Sequence, residues 1–132
     1  MSNVGAYLEK ALLDWVLGGA TPNSPLTRAI ALSLGVPAST SGSEMGTGSG
    51  YARQTATFAA AASPGGSATN NNNMTFGPFS SAASITGITM WDTILTLNSG
   101  NLLWYGTLAT ARTVGVGDSL VIASGALTVS LA

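Results

Sequence analysis

Charge is what this sequence lacks most. Four cations (Lys10, Arg28, Arg53 and Arg112) stand against five carboxylates (Glu9, Asp14, Glu44, Asp92 and Asp118), and only 7% of residues are charged. An ordinary globular chain carries about 25%. The net charge is −1, and four scattered cations leave no electrostatic footprint for nucleic acid. Histidine is absent, which removes the commonest general base and any Ser-His-Asp arrangement. Cysteine is absent too. Disulfides, thiolate catalysis and Cys-based metal sites are therefore excluded, and the redox compartment stays open. Hydrophobic residues make up 45% of the chain, yet no apolar run approaches the ~18 residues of a membrane span. No membrane partner is expected. The N-terminus shows no charged n-region, apolar h-region and cleavage pattern, so no signal peptide is expected.

A surface this poor in charge gives a free monomer little colloidal protection. Two readings follow: a monomer coated in Gly, Ser, Thr and Asn, or a surface largely covered by neighbouring subunits. The low charge favours the second, and with it a homo-oligomer. The 132 residues predict a single domain over 1–132, long enough to bury one core.

The fold prediction is organised around 85–132, a chain of short runs rich in Ile, Val, Thr, Trp and Tyr, residues that suit a pleated half-buried surface. Turn signals stand at Asn98-Ser99-Gly100-Asn101, Gly115-Val116-Gly117-Asp118 and Ser124-Gly125. Leu127 to Ala132 alternates apolar and small polar residues. An antiparallel meander of four or five strands that supplies most of the core is predicted.

Ahead of it, Val4, Tyr7, Leu8, Ala11, Leu12, Trp15 and Val16 form one stripe at helical spacing. They predict a helix over 4–17, capped by Ser2 or Asn3 and stopped by Gly18-Gly19. That helix either packs on a sheet or docks on a partner. Leu26 to Val36, between Pro25 and Pro37, alternates small and large side chains and predicts a strand. Long loops are predicted at 38–50 and 63–73, the second holding the run Asn70 to Asn73, which reads as having no packing option. Tyr51 begins a further strand, with Tyr51, Arg53, Thr55 and Thr57 on one face, and Met74-Thr75-Phe76 is a short one. The predicted class is mainly β: an antiparallel β-sandwich or β-barrel-like domain with one N-terminal α-helix packed against it.

Chemistry is hard to find. The five carboxylates are dispersed; Glu9 and Asp14, five apart on a helix, diverge by about 140°. Gly46-Thr47-Gly48-Ser49-Gly50 lacks the Lys-Ser/Thr of a phosphate loop, and a strand follows it. Asp118 after Gly115-Val116-Gly117 reads as a turn residue, since one carboxylate is a poor calcium site. Trp91, Trp104 and Tyr105 can be read as a sugar-stacking platform or as core; adjacent Trp104 and Tyr105 must point to opposite faces of a strand. No catalytic residue, metal or cofactor is expected. Trp15, Trp91, Trp104 and Tyr105 are the candidate partner contacts.

Three segments carry a resemblance. They are Leu12 to Gly19 (LLDWVLGG), Glu44 to Phe58 (EMGTGSGYARQTATF), and the pair Gly100 to Leu108 (GNLLWYGTL) with Ser124 to Ala132 (SGALTVSLA). The chain resembles a family of small tailed-phage virion proteins often labelled tail-fibre-like, and Gly50-Tyr51-Ala52-Arg53-Gln54 with Phe58 is the most specific part. The first strand here lacks the aromatic usual in that family. The resemblance implies a non-enzymatic virion structural role in a protein made in the host bacterial cytoplasm. A capsid decoration or cement protein on the major capsid protein lattice, with a trimer as one form of the homo-oligomer, is the favoured placement. The alternative is a tail- or baseplate-associated protein that binds a receptor or carbohydrate. Within the shared segment Gly48 and Gly50 permit a tight entry into the strand. Glu44 and Arg53 can pair across that turn, with Tyr51 covering the guanidinium. Glu44, Gly50, Tyr51 and Arg53 thus read as a structural lock.

Overall fold

The computed structural model describes residues 1, 3–41, 43–95 and 99–131. The Ser2 alternative for the helix cap, Asn98 of the predicted turn and Ala132 lie outside them. The chain is mainly β, with antiparallel pairing throughout and one α-helix near its N-terminus. Strand β1 (Asn3–Val4) leads into helix α1 (Ala6–Val16), and β2 (Ala29–Ser33) follows. A 3-10 turn (Thr47–Ser49) precedes β3 (Gln54–Thr55), β4 (Ser67–Thr69) and β5 (Met74–Phe76). The long strands β6 (Ala83–Trp91) and β7 (Leu102–Val114) form a hairpin, and β8 (Leu120–Ile122) and β9 (Thr128–Ser130) close the chain.

Five strands make the main sheet in the order β1-β7-β6-β2-β3. Between the central strand β6 and the short edge strand β3, all five residues of β2 are buried. Its alternation separates Ile30 and Leu32 on one face from Ala29, Ala31 and Ser33 on the other. In register, Ile30 stands beside Met90 and Met90 beside Trp104, whereas Ala29 stands beside Trp91 and Ala31 beside Thr89. One face is thus built from large apolar residues, and the other alternates small side chains with Trp91. The core joins Ile30, Leu32, Met74, Phe76, Phe79, Ile85, Met90, Leu103, Ile122 and Val129 among others. Each such side chain contributes about 1.5–3 kcal/mol on burial.

The C-terminal meander is a correction. Only β6 and β7 pair as sequence neighbours there; β8 pairs with β5 and β9 with β4, making two further two-stranded sheets. Period-two patterning tells which face of a strand is buried, not which strand lies beside it. The predicted loop over 63–73 likewise contains β4. Nor is the asparagine run without packing. Asn70 is 1% exposed; its amide nitrogen donates to the carbonyls of Asn72 (2.8 Å) and Ala123 (3.0 Å), and its amide oxygen accepts from Leu127 N–H at 2.8 Å.

The helix begins later than its apolar stripe suggested. Gly5 is the N-cap and makes no side-chain cap, and Asn3 and Val4 are taken up pairing with Tyr105 and Trp104. A Cβ at Gly5 would stand 2.2 Å from the Leu102 carbonyl oxygen, so only glycine lets the chain cross β7 there. At the other end Gly18 takes a left-handed φ of 89° and stops the helix. Leu8 packs against the core, but no residue of α1 is fully buried.

Candidate functional site

The chain's most concentrated polar chemistry lies between the 44–53 turn and the end of β6. Gly50 makes the turn possible: its φ is 77° and a Cβ would meet the Pro78 carbonyl oxygen at 2.3 Å. Glu44 is held in place by a bridge to Ser33 at the end of β2. Arg53 then grips it in a two-pronged contact, Nε to Oε1 at 2.8 Å and Nη2 to Oε2 at 2.7 Å. The two side chains are 0% and 1% exposed. The remaining nitrogen, Nη1, donates to the carbonyls of Thr93 (2.9 Å) and Ser99 (3.1 Å). The guanidinium lies 4.5 Å over the Trp91 ring, and the indole N–H donates to Thr89 Oγ1 at 2.8 Å.

Tyr51 does not cover the guanidinium. Its hydroxyl donates to Glu44 Oε1 at 2.9 Å and accepts from the Leu32 backbone N–H at 3.2 Å. Its ring stacks on Phe76 with centroids 6.2 Å apart. Trp91 takes the covering role, and at 3% exposure it is no surface contact. Burial, together with the negative charge of Glu44 and the hydrogen bond to it, pushes the Tyr51 phenol far above its ordinary range.

The arrangement cross-links separate stretches of chain. Both oxygens of the Glu44 carboxylate face donors. Taking two ions out of water costs several kcal/mol each, and only good geometry with full hydrogen bonding offsets that. Both conditions hold here. The network ties five stretches of chain together: the 44–53 turn, β2, the end of β6 and the residues around 93 and 99.

Three of the other four carboxylates are engaged locally. Asp92 accepts from Asn101 N–H at 2.7 Å and from its side-chain amide at 2.8 Å. Asp118 accepts from Gly115 N–H at 2.7 Å and closes its turn. Asp14 pairs with Lys10 on the exposed helix surface. Among the described residues no three His, Cys, Asp or Glu side chains gather where they could hold a metal.

The remaining candidate partner contacts scatter. Trp15 is 53% exposed on α1, while Trp104 and Tyr105 are half-buried on β7. Trp104 spends its indole N–H on the Ser130 carbonyl at 3.1 Å. The structure does not join Trp91, Trp104 and Tyr105 into one stacking platform, since Trp91 is buried against Arg53 and Tyr105 points away from Trp104. Two features escaped the sequence reading: Asn70, whose partners are remote in sequence, and Arg28, which lines a cleft with Trp104.

A model of the Gp80 family, described as Podophage GP4 fiber I protein gp80, matches residues 3–130. No curated protein matches the chain.

Proposed function

The chain belongs to the Gp80 family and is a phage virion structural protein, and from that premise we propose that it is a non-enzymatic fiber component that attaches to neighbouring virion chains through helix α1. One observation carries the attachment. Helix α1 buries no residue completely, yet it presents Tyr7 (50% exposed), Leu13 (60%), Trp15 (53%) and Val16 (70%) to solvent. Beside it runs the segment from Pro22 to Leu26, which shares a groove with Tyr7, Leu8 and Ala11 and ends in a Leu26 that is 99% exposed. Single exposed apolar residues are ordinary, but this many along one short helix is the mark of a surface that meets another chain.

The fiber placement follows the family description. Placement on the capsid surface as a cement protein is the second reading, supported by the charge-poor composition. Both readings use the same helix, with another virion protein or a further copy of this chain as the neighbour, and neither gives the protein a reaction to catalyse. Gold labelling of the protein on intact particles, imaged by electron microscopy, separates them. Label on the fibers supports the proposal. Label spread over the head at a copy number near that of the major capsid protein overturns the fiber placement in favour of cement. Absence of label from the particle overturns both.

A further inference from the structure

On the face of the main sheet opposite Trp91, a cleft of about 370 Å³ opens between that sheet and the β4–β9 pair. Met90 and Trp104, neighbours in register, form its floor, and Ala68 and Val129 wall it from β4 and β9. Phe58 and Arg28 complete the lining. The volume falls within the roughly 300–1,000 Å³ of small-molecule sites, which pair a mostly apolar wall with a few placed polar groups.

Among the described residues Arg28 is the only charged group in that wall. Its Nη1 donates to the Pro25 carbonyl at 3.2 Å, which steadies the head group. Among the described residues no carboxylate forms an ion pair with it. In a chain with five carboxylates, a half-buried guanidinium left without one is a vacancy for an anion. A guanidinium stays charged at any physiological pH and matches a carboxylate with two parallel hydrogen bonds. The rest of the wall offers two aromatic rings and aliphatic carbon, which suit the C–H face of a ring-shaped ligand. A peptide terminus fits less well. Such segments are captured by free strand edges or backbone nests, and Met90 is paired on both sides, by Ile30 and by Trp104.

We propose that this cleft binds an acidic sugar, a pyranose bearing a carboxylate such as a uronic or sialic acid unit of a polysaccharide. Arg28 takes the carboxylate, and Trp104 and Phe58 lie against the ring. The inference does not depend on where in the particle the protein sits, because the isolated chain should show it.

The test is a titration of the ¹⁵N-labelled full chain with the methyl glycosides of glucuronic, galacturonic and N-acetylneuraminic acids. Methyl glucoside serves as the neutral control and N-acetyl-dileucine as a peptide carboxylate. At least one acidic glycoside should shift the Trp104 indole N–H, and methyl glucoside should bind about tenfold more weakly or worse. Arg28→Gln should lose a similar factor while keeping the amide spectrum of the folded chain. Should Arg28→Gln fold poorly, Phe58→Ala, which removes a wall and leaves the cation, must weaken the same glycoside. Three results overturn the proposal: no acid binds, the neutral glycoside binds equally well, or Arg28→Gln and Phe58→Ala leave affinity unchanged. Tighter binding of N-acetyl-dileucine also overturns it and assigns the cleft to a chain terminus.

Discussion

Two ion pairs of the same kind sit in opposite surroundings in this molecule. Glu44–Arg53 is sealed from water, held in a two-pronged contact and stacked on Trp91. Lys10–Asp14 lies on the outside of α1 with side chains 78% and 47% exposed. Around the first pair every polar group has a partner; around the second, the large apolar side chains of the helix face solvent. The molecule puts its most expensive charges inside and its greasiest helix outside. That inversion separates the part of the chain that fixes its own shape from the part proposed above to meet another chain. The contrast can be broken one residue at a time.

The largest effect should come from Arg53→Met, which leaves Glu44 buried and unpaired. Orphaning one member of a buried pair costs about 3–5 kcal/mol, and the midpoint of urea unfolding should fall accordingly. The double variant Glu44→Met/Arg53→Met should lose less than the single one, since the charge that pays the desolvation penalty is gone. Equal losses in both would show that packing of Arg53 on Trp91, not charge, holds the turn.

Next in size is Tyr51→Phe. It removes the hydroxyl that bridges Glu44 to the Leu32 N–H, and leaving such groups unsatisfied costs about 1–3 kcal/mol. It also carries a pH signature. The folded phenol is raised above its unfolded value near 10, so the native state keeps its proton where the unfolded chain has lost it. Stability from this group is fully present below about pH 10 and falls above it by ~1.4 kcal/mol per pH unit. Unfolding curves at a series of alkaline pH values should show that slope in the natural chain and a shallower one in Tyr51→Phe. Parallel slopes would mean that Tyr51 is not the group responsible.

How much of this was legible beforehand depends on how local the cause is. The helix, the Met74–Phe76 strand, and the nearness of Glu44 to Arg53 follow from residues within a turn or two of one another. The pairing of β8 with β5 and β9 with β4 does not, because alternation marks a buried face and is silent about the neighbour. Asn70 reads as loop because four asparagines in a row offer no apolar face to pack. Its burial is decided by the N–H of Leu127, 57 residues away. Trp91 reads from sequence as either core or partner contact, and the guanidinium that decides for core arrives from a distant turn. The Arg28 cleft is formed by six separate stretches of chain, so no single segment hints at it.

A smaller effect is expected at the exposed pair. Lys10→Ala should change stability by no more than a few tenths of a kcal/mol, the usual worth of an i,i+4 pair in water. The urea midpoint in low and high salt checks it. A loss approaching that of Arg53→Met would abolish the contrast between the two regions.

The smallest change in stability belongs to the apolar face of α1, where the variant Leu13→Gln/Val16→Gln should unfold within about 0.5 kcal/mol of the natural chain. Both side chains are more than half exposed, and glutamine is a good helix former, so the isolated protein has little to lose. Incorporation into particles is another matter. If α1 is the attachment surface, phage grown with this variant should carry far less of the protein than phage carrying Lys10→Ala. Quantitative immunoblotting of purified virions reads the difference directly. A variant that folds normally and still assembles in full would take α1 out of the attachment. The exposed apolar helix would then need another explanation, while the buried network would stand unaffected.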